Sequence, residues 1–360
     1  MADRAIVYVG TYTGPLGQEN PNAHGLGIYC LELDTASGGL KLLNVAKDVA
    51  DPSYFALNSA QTHLYAVNEV GEFNGEKTGA VSAFEIKEDL SLKLIGQKST
   101  GDSGPCHVFI DKKDEWAYIS NYSFGSFSSR QINPDGSLGD GFQLIKHESR
   151  VGAPPNPDRQ ESPHAHSSVV EPIGERLLVF DLGLDEIKTY AIKPDGRLEA
   201  GIPIKTAPGS GPRHCDFSSD GKFLYVIHEL DSSISVYAAG DGLKLLQTIS
   251  GKETTGYNDA ADIHVTSDGR FLYGSNRGEE TIVCFSIDQE SGLLTLAGHY
   301  DCGGSWPRSF TIDTTSHFLI VANQKSDNLV VFGIDQETGA LSKVSEYAIP
   351  APVCVKAYAF

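Results

Sequence analysis

Apolar residues come in short blocks bounded by turn residues, and the blocks recur. Gly211-Pro212-Arg213-His214 leads through Asp220-Gly221-Lys222 into Phe223-Leu224-Tyr225. The same order returns at Ala261-Asp262-Ile263-His264, Asp268-Gly269-Arg270 and Phe271-Leu272-Tyr273. Each repeat has an extended start, a turn that carries glycine, and an apolar strand. A further strand follows, as in Thr281-Ile282-Val283-Cys284-Phe285-Ser286-Ile287-Asp288, then a turn and a fourth strand such as Leu293-Leu294-Thr295-Leu296. Short apolar or alternating runs between turns predict strands, four to a unit.

The units begin at Pro52, Pro105, Pro163, Pro212, Ala261, Pro307 and Pro352, with spacings of 53, 58, 49, 49, 46 and 45 residues. Four strands at that period describe a propeller blade. The last start has only Val353 to Phe360 after it, and Ile6 to Val9 reads as a second strand whose first is missing. The two ends therefore complete one blade. The expectation is an all-β, single-domain seven-bladed β-propeller over residues 1–360, with four antiparallel strands per blade and a ring closed by pairing of the terminal strands. Closure of that kind removes two exposed sheet edges. A β-sandwich lacks such a long period.

In an antiparallel blade the start of the first strand and the end of the second share one rim. Aligned on their turns, Arg213 lies eight residues before Gly221, His166 eight before Gly174, and Arg308 eight before Ser316, which replaces the glycine in its blade. Five residues after Leu224 stands Glu229; the corresponding residues after Leu272, Leu319 and Leu64 are Arg277, Gln324 (beside Lys325) and Glu69. These side chains are expected to converge on one mouth of the central channel, as a binding site or as a charged network knitting blades together. Two long loops, His147 to Ser162 and Gly251 to Ala260, enter first strands on the same side, as a wall or lid or as surface decoration.

Composition narrows the chemistry. The chain has 28 Lys and Arg against 47 Asp and Glu, a formal net charge of -19. Such a chain repels nucleic acid and anionic membrane surfaces, so neither is expected as a partner. No apolar run is long enough for a membrane-spanning helix. Met1-Ala2-Asp3-Arg4 runs directly into an apolar strand without signal-peptide character, so a cytoplasmic location is expected. The six cysteines form no C-x-x-C pair and are expected as thiols. There is no nucleophile elbow, P-loop or zinc spacing. No cofactor and no metal is expected, because an arginine among the rim residues repels a cation and can itself neutralise an oxyanion. Asp111 and Asp268 read as turn formers.

Arg159-Gln160, Ser162-Pro163-His164-Ala165-His166-Ser167, Gly211-Pro212-Arg213-His214, Ala261-Asp262-Ile263-His264, Leu272-Tyr273-Gly274-Ser275-Asn276-Arg277 and Gln324-Lys325-Ser326 together resemble the seven-bladed propeller lactonase family. That family includes propeller-type 6-phosphogluconolactonases and carboxy-muconate lactonizing enzymes, and the resemblance covers essentially the whole chain. It implies a catalytic set of His166, Arg213, Glu229 and Arg277, the positions that the blade alignment also singles out.

Lactone hydrolysis needs a base for water and a stabiliser for the oxyanion. Glu229 or His166 can be the base. Arg213 and Arg277 can stabilise the oxyanion or bind an anionic group. His164, Arg308, Gln324, Lys325, Glu69, Asp262 and His264 are expected around the substrate, with Asp262 orienting a neighbour. The implied enzyme is a lactone hydrolase acting on a small anionic sugar lactone, foremost 6-phosphogluconolactone, as a monomer or weak homodimer. The alternatives are a carboxy-muconate-type lactonizing enzyme and a non-enzymatic interaction platform, which would carry an exposed apolar patch.

Overall fold

The computed structural model describes residues 4–14, 25–47, 49–172, 176–240 and 242–360; Met1–Asp3 and Gly174 lie outside them. Every regular element among these residues is a β-strand, and the strands form seven separate antiparallel sheets. This is the strand architecture of a seven-bladed β-propeller. The chain falls into two compact units, one of residues up to Val45 with His214–Phe360, the other of Ala46–Arg213.

In the first unit, Pro352–Ala359 pairs antiparallel with Ala5–Thr11, from Ala5 opposite Ala359 to Gly10 opposite Cys354. Beyond the strands, Arg4 and Phe360 exchange both main-chain hydrogen bonds, at 2.7 and 2.9 Å. The expected terminal blade is thus formed, in the order Pro352–Ala359, Ala5–Thr11, Ile28–Leu33, Leu40–Ala46. Val7, Val9, Leu31 and Val355 of this blade pack against Ile320, Leu329 and Val331 of its neighbour.

Burial falls from the second and third strands to the fourth. Phe271–Arg277 is buried throughout, whereas Leu294–Asp301 is exposed or half-buried after its first residue. Sheets packed face to face bury both sides of their inner strands, which explains the continuous apolar runs there. Turns between first and second strands use positive φ: 71° at Gly221, 73° at Gly269 and 59° at Ser316. Ser316 therefore takes the glycine's conformation, and its hydroxyl accepts from the Ser267 main-chain N–H at 3.0 Å. Asp111 Oδ1 accepts from the N–H of Glu115 and Trp116, and Asp268 Oδ1 from Arg270 N–H, as expected of turn formers.

One tyrosine position links neighbouring blades within each unit. Tyr65 donates to the carbonyl of Gly136 at 2.8 Å, Tyr225 to Gly292 at 3.1 Å and Tyr273 to Gly339 at 2.7 Å. Burial raises each phenol's pKa, so each stays a donor at any ordinary pH.

The blade after Pro163 keeps the four-strand order with one irregularity. Its outer strand is split into Leu198–Ala200 and Ile204–Lys205, both paired with Glu186–Ile192. Pro203 has no N–H for the ladder, and the interruption is closed by Gly201 N–H donating to Thr189 O and Thr189 Oγ1 to Ile202 O.

Candidate functional site

The starts of first strands lie opposite the ends of second strands in each sheet where both ends pair: Ala165 opposite Asp181, Asp259 opposite Arg277, Pro307 opposite Asn323. The register slips just inside these starts, between Ala165 and Ser167 and between Pro307 and Ser309, so His166 and Arg308 are bulge residues. A bulge leaves its residue out of the ladder and re-aims the side chain. Between Ala260 and Ile263 a similar shift takes in Asp262.

In the first unit, Glu229 follows Phe223–His228 and Arg277 ends Phe271–Arg277. Their side chains meet as an ion pair of 3.0 Å, about 5% exposed on each side. Arg277 is fixed further by Nε donating to Asp259 O at 3.1 Å and Nη2 to Ala260 O at 3.2 Å, while Ala260 N–H donates back to Glu229 O. The guanidinium also lies 5.4 Å from the centroid of the Trp306 ring, and Lys325 Nζ lies 3.3 Å from that centroid. Arg308 sits over the ring of Tyr12 at 5.4 Å. Gln324 is buried, and its Oε1 has no hydrogen-bond partner among the described residues. Arg277, Glu229, Gln324 and Lys325 are thus gathered around Trp306 and its neighbours.

Asp262 lies on the first strands of the same unit. Its Oδ1 accepts from His214 Nδ1 at 2.9 Å, and its Oδ2 accepts from Ser309 Oγ at 3.0 Å and Phe310 N–H at 3.3 Å. His264 Nε2 stands 3.5 Å from Oδ2. Burial opposes ionisation of Asp262, but His264 and His214 outweigh it and hold the carboxyl well below its usual range. Burial likewise works against a charged His264, yet Asp262 and Asp216 draw its pKa upward.

In the second unit, His166 is buried and meets the Tyr122 ring edge-on at 5.7 Å. His164 stacks on the same ring at 4.4 Å. Both His164 nitrogens are engaged, Nδ1 with Tyr122 O at 2.9 Å and Nε2 with Glu161 Oε1 at 3.1 Å. Arg213 is buried, and its carbonyl accepts from Ser167 Oγ at 2.6 Å. Glu69 is half-buried just after His63–Asn68, the place in its blade that Glu229 has in another.

Three residues of consequence were not apparent from the sequence. Asp185, at φ 55°, accepts from Arg150, Gln160, Gly209 N–H and Gly211 N–H and so pins the loop of residues 147–162. Glu280 accepts from Trp306 N–H at 2.5 Å and Ser305 Oγ at 3.0 Å. Trp306 itself carried one available signal: it is one of only two tryptophans and directly precedes a blade-starting proline. The 251–260 loop is held similarly, with Glu279 accepting from Thr254 Oγ1 and from the N–H groups of Glu253 and Thr254. Among the described residues, no three His, Cys, Asp or Glu side chains are grouped as metal ligands would be, and no helix is long and apolar enough to cross a membrane. All six cysteines are thiols.

Seven four-stranded blades, with charged residues set at strand ends and bulges, define a propeller of the lactonase type. The family described as "Lactonase, 7-bladed beta-propeller" matches residues 6–357, and the chain belongs to that family of lactone hydrolases. A 6-phosphogluconolactonase of Bacillus subtilis (strain 168) is 34% identical over 98% of this chain and 97% of its own length. One from Formosa agariphila is 35% identical over 85% of this chain and 86% of its own. The structure of a periplasmic gluconolactonase from Pseudomonas aeruginosa superposes with a TM-score of 0.89 at 32% identity, covering 98% of this chain and 99% of that one.

Proposed function

We propose that this protein hydrolyses a sugar lactone, with 6-phosphogluconolactone as the foremost substrate and 6-phosphogluconate as product. The observation that carries the reading is the buried Glu229–Arg277 pair, set at the ends of two second strands with Lys325 and Trp306 beside it. A buried charge pair is costly to maintain for stability alone, because desolvation offsets most of its attraction. A site that must present fixed charge to a substrate gives it a purpose.

In this reading water attacks the lactone carbonyl carbon, the ring C–O bond breaks, and the released oxygen takes up a proton. Glu229 accepts the proton of the attacking water. Arg277, already oriented by Glu229 and two main-chain carbonyls, needs no reorganisation to face the developing oxyanion. His166 and Arg213, which the family resemblance adds to the catalytic set, belong to the second unit; each is to be tested by its own variant.

Two relatives named for the phosphorylated substrate support the foremost choice. The periplasmic gluconolactonase supports a second reading, an unphosphorylated gluconolactone. The choice bears on location, since a phosphorylated sugar is confined to the cytoplasm by its charge. The test is a lactonase assay on 6-phosphogluconolactone, gluconolactone and a carboxy-muconolactone, each corrected for spontaneous opening. The expected result is the highest kcat/KM on the phosphorylated lactone. No rate above background on any of the three would overturn the reading.

A further inference from the structure

The residue just before a blade-starting proline has positive φ in five blades: 39° at Asp51, 65° at Gly104, 65° at Gly211, 65° at Trp306 and 41° at Ala351. Two blades meet this demand with glycine, the residue suited to it. Trp306 has the same φ as those glycines. For a bulky residue that is an outlier, and a following proline restricts its backbone further.

The surroundings impose this backbone. Trp306 N–H donates to Glu280 Oε2 at 2.5 Å, just as Gly211 N–H donates to Asp185 and Ala351 N–H to Asp327. Glu280, Asp185 and Asp327 have φ of 57°, 55° and 57°. Trp306 O in turn accepts from Gln324 N–H at 3.0 Å, and Ser305 O from Lys325 N–H at 3.1 Å. The fold thus requires the conformation but not the indole, since glycine serves elsewhere. Strain that the surroundings over-determine is a mark of a functional position.

The indole gathers charge. Lys325 Nζ is 3.3 Å and the Arg277 guanidinium 5.4 Å from its centroid, and the unpartnered, buried Gln324 Oε1 belongs to the residue bonded to its carbonyl. An aromatic ring attracts a cation placed over it, and the shorter of these two distances belongs to Lys325. We infer that Trp306 is a positioning residue that holds Lys325 as the receiver for the phosphate monoester of the substrate, beside the Arg277 that faces the oxyanion, and so sets the preference for phosphorylated over neutral sugar lactones. This rests on the lactonase reading above.

Two experiments separate the inference from that reading. In a Trp116→Phe background Trp306 is the sole tryptophan, so its fluorescence reports the receiver without turnover. Titration with 6-phosphogluconate should give a saturable change, with gluconate binding about tenfold or more weaker, and Lys325→Met should weaken 6-phosphogluconate by a similar factor. Equal affinity for the two acids, or no effect of Lys325→Met, would overturn the inference, and this holds even if no lactone is turned over.

The second experiment is Trp306→Gly, which installs the residue used by two other blades. The melting temperature should hold or rise, because strain is relieved. KM for 6-phosphogluconolactone should rise about tenfold, with kcat changing far less and KM for gluconolactone within about twofold; Trp306→Phe should recover part of the loss. A fall in melting temperature with kcat reduced equally on both lactones would assign Trp306 a structural role instead.

Discussion

The carboxylate of Asp262 lies 2.9 Å from the imidazole of His214, on the first strands of two neighbouring blades. Its other oxygen takes the Ser309 hydroxyl of the next blade, and Ser309 Oγ accepts from Val355 N–H at 3.3 Å in the terminal blade. One buried acid thereby ties first strands together across four blades of the first unit. Asp262→Asn should cost about 3–5 kcal/mol, the usual cost of removing one partner of a buried ion pair. Denaturant unfolding checks this, and a loss below about 1 kcal/mol would show that the network is dispensable.

The same cluster makes stability depend on pH. His264 has a folded pKa above its ordinary 6.5. Its contribution is therefore full below that value and lost as pH rises through the higher folded pKa. Asp262, held well below 3.8, contributes above 3.8 and loses its contribution only as pH falls through the lower folded value. The gap in melting temperature between wild type and His264→Asn should be widest near about pH 6 and should narrow toward about pH 9. A constant gap over that range would mean that His264 acts through packing alone.

Glu229→Gln should leave the blades intact and lower kcat by roughly 10²-fold, the scale of a lost general base. Circular dichroism and a lactonase assay on the same sample distinguish a folded, slow enzyme from an unfolded one. Activity within a few-fold of wild type would take Glu229 out of the proton transfer and leave it as the partner that orients Arg277.

Removal of the last eight residues, Val353 to Phe360, should destabilise the protein by roughly 5 kcal/mol or more. Val353, Cys354 and Val355 are almost wholly buried, and their loss also unpairs one side of Ala5–Thr11. An unchanged melting temperature for the truncated chain would refute this account of closure.

Asp185→Asn should loosen the loop of residues 147–162 by weakening four hydrogen bonds at once. Limited trypsin digestion reads this directly, since Arg150 and Arg159 lie in the loop. Faster cleavage at those two bonds is expected, with the rest of the chain protected. An unchanged digestion pattern would mean that the prolines stiffen the loop by themselves.

The blade count and the terminal pairing were legible in the sequence because they follow from period alone. Short apolar runs recur at a nearly constant spacing, each end holds a partial repeat, and a repeat fold propagates through nearest neighbours. Ser316 as a glycine substitute could be read for the same reason, since a fixed register assigns it a turn whatever its side chain. The places of Glu229 and Arg277, at the ends of second strands, also followed from register.

Tertiary structure decided what those residues touch. The bulges that re-aim His166 and Arg308 arise from a mismatch between two paired strands and leave no mark in one strand's pattern. Asp185 and Glu280 look like ordinary turn acids until the N–H groups they serve, more than twenty residues away, are brought to them. The split outer strand at Gly201-Ile202-Pro203 needed its partner strand to show which main-chain groups remain paired. Trp306 shares its φ of 65° with Gly104 and Gly211, a conformation that its side chain gives no sign of in the sequence. The sequence determined the repeat and its register, because both are properties of local periodicity. Ion pairs, bulges and strain were settled in space, because each depends on groups that only the packing of neighbouring blades brings within hydrogen-bonding distance.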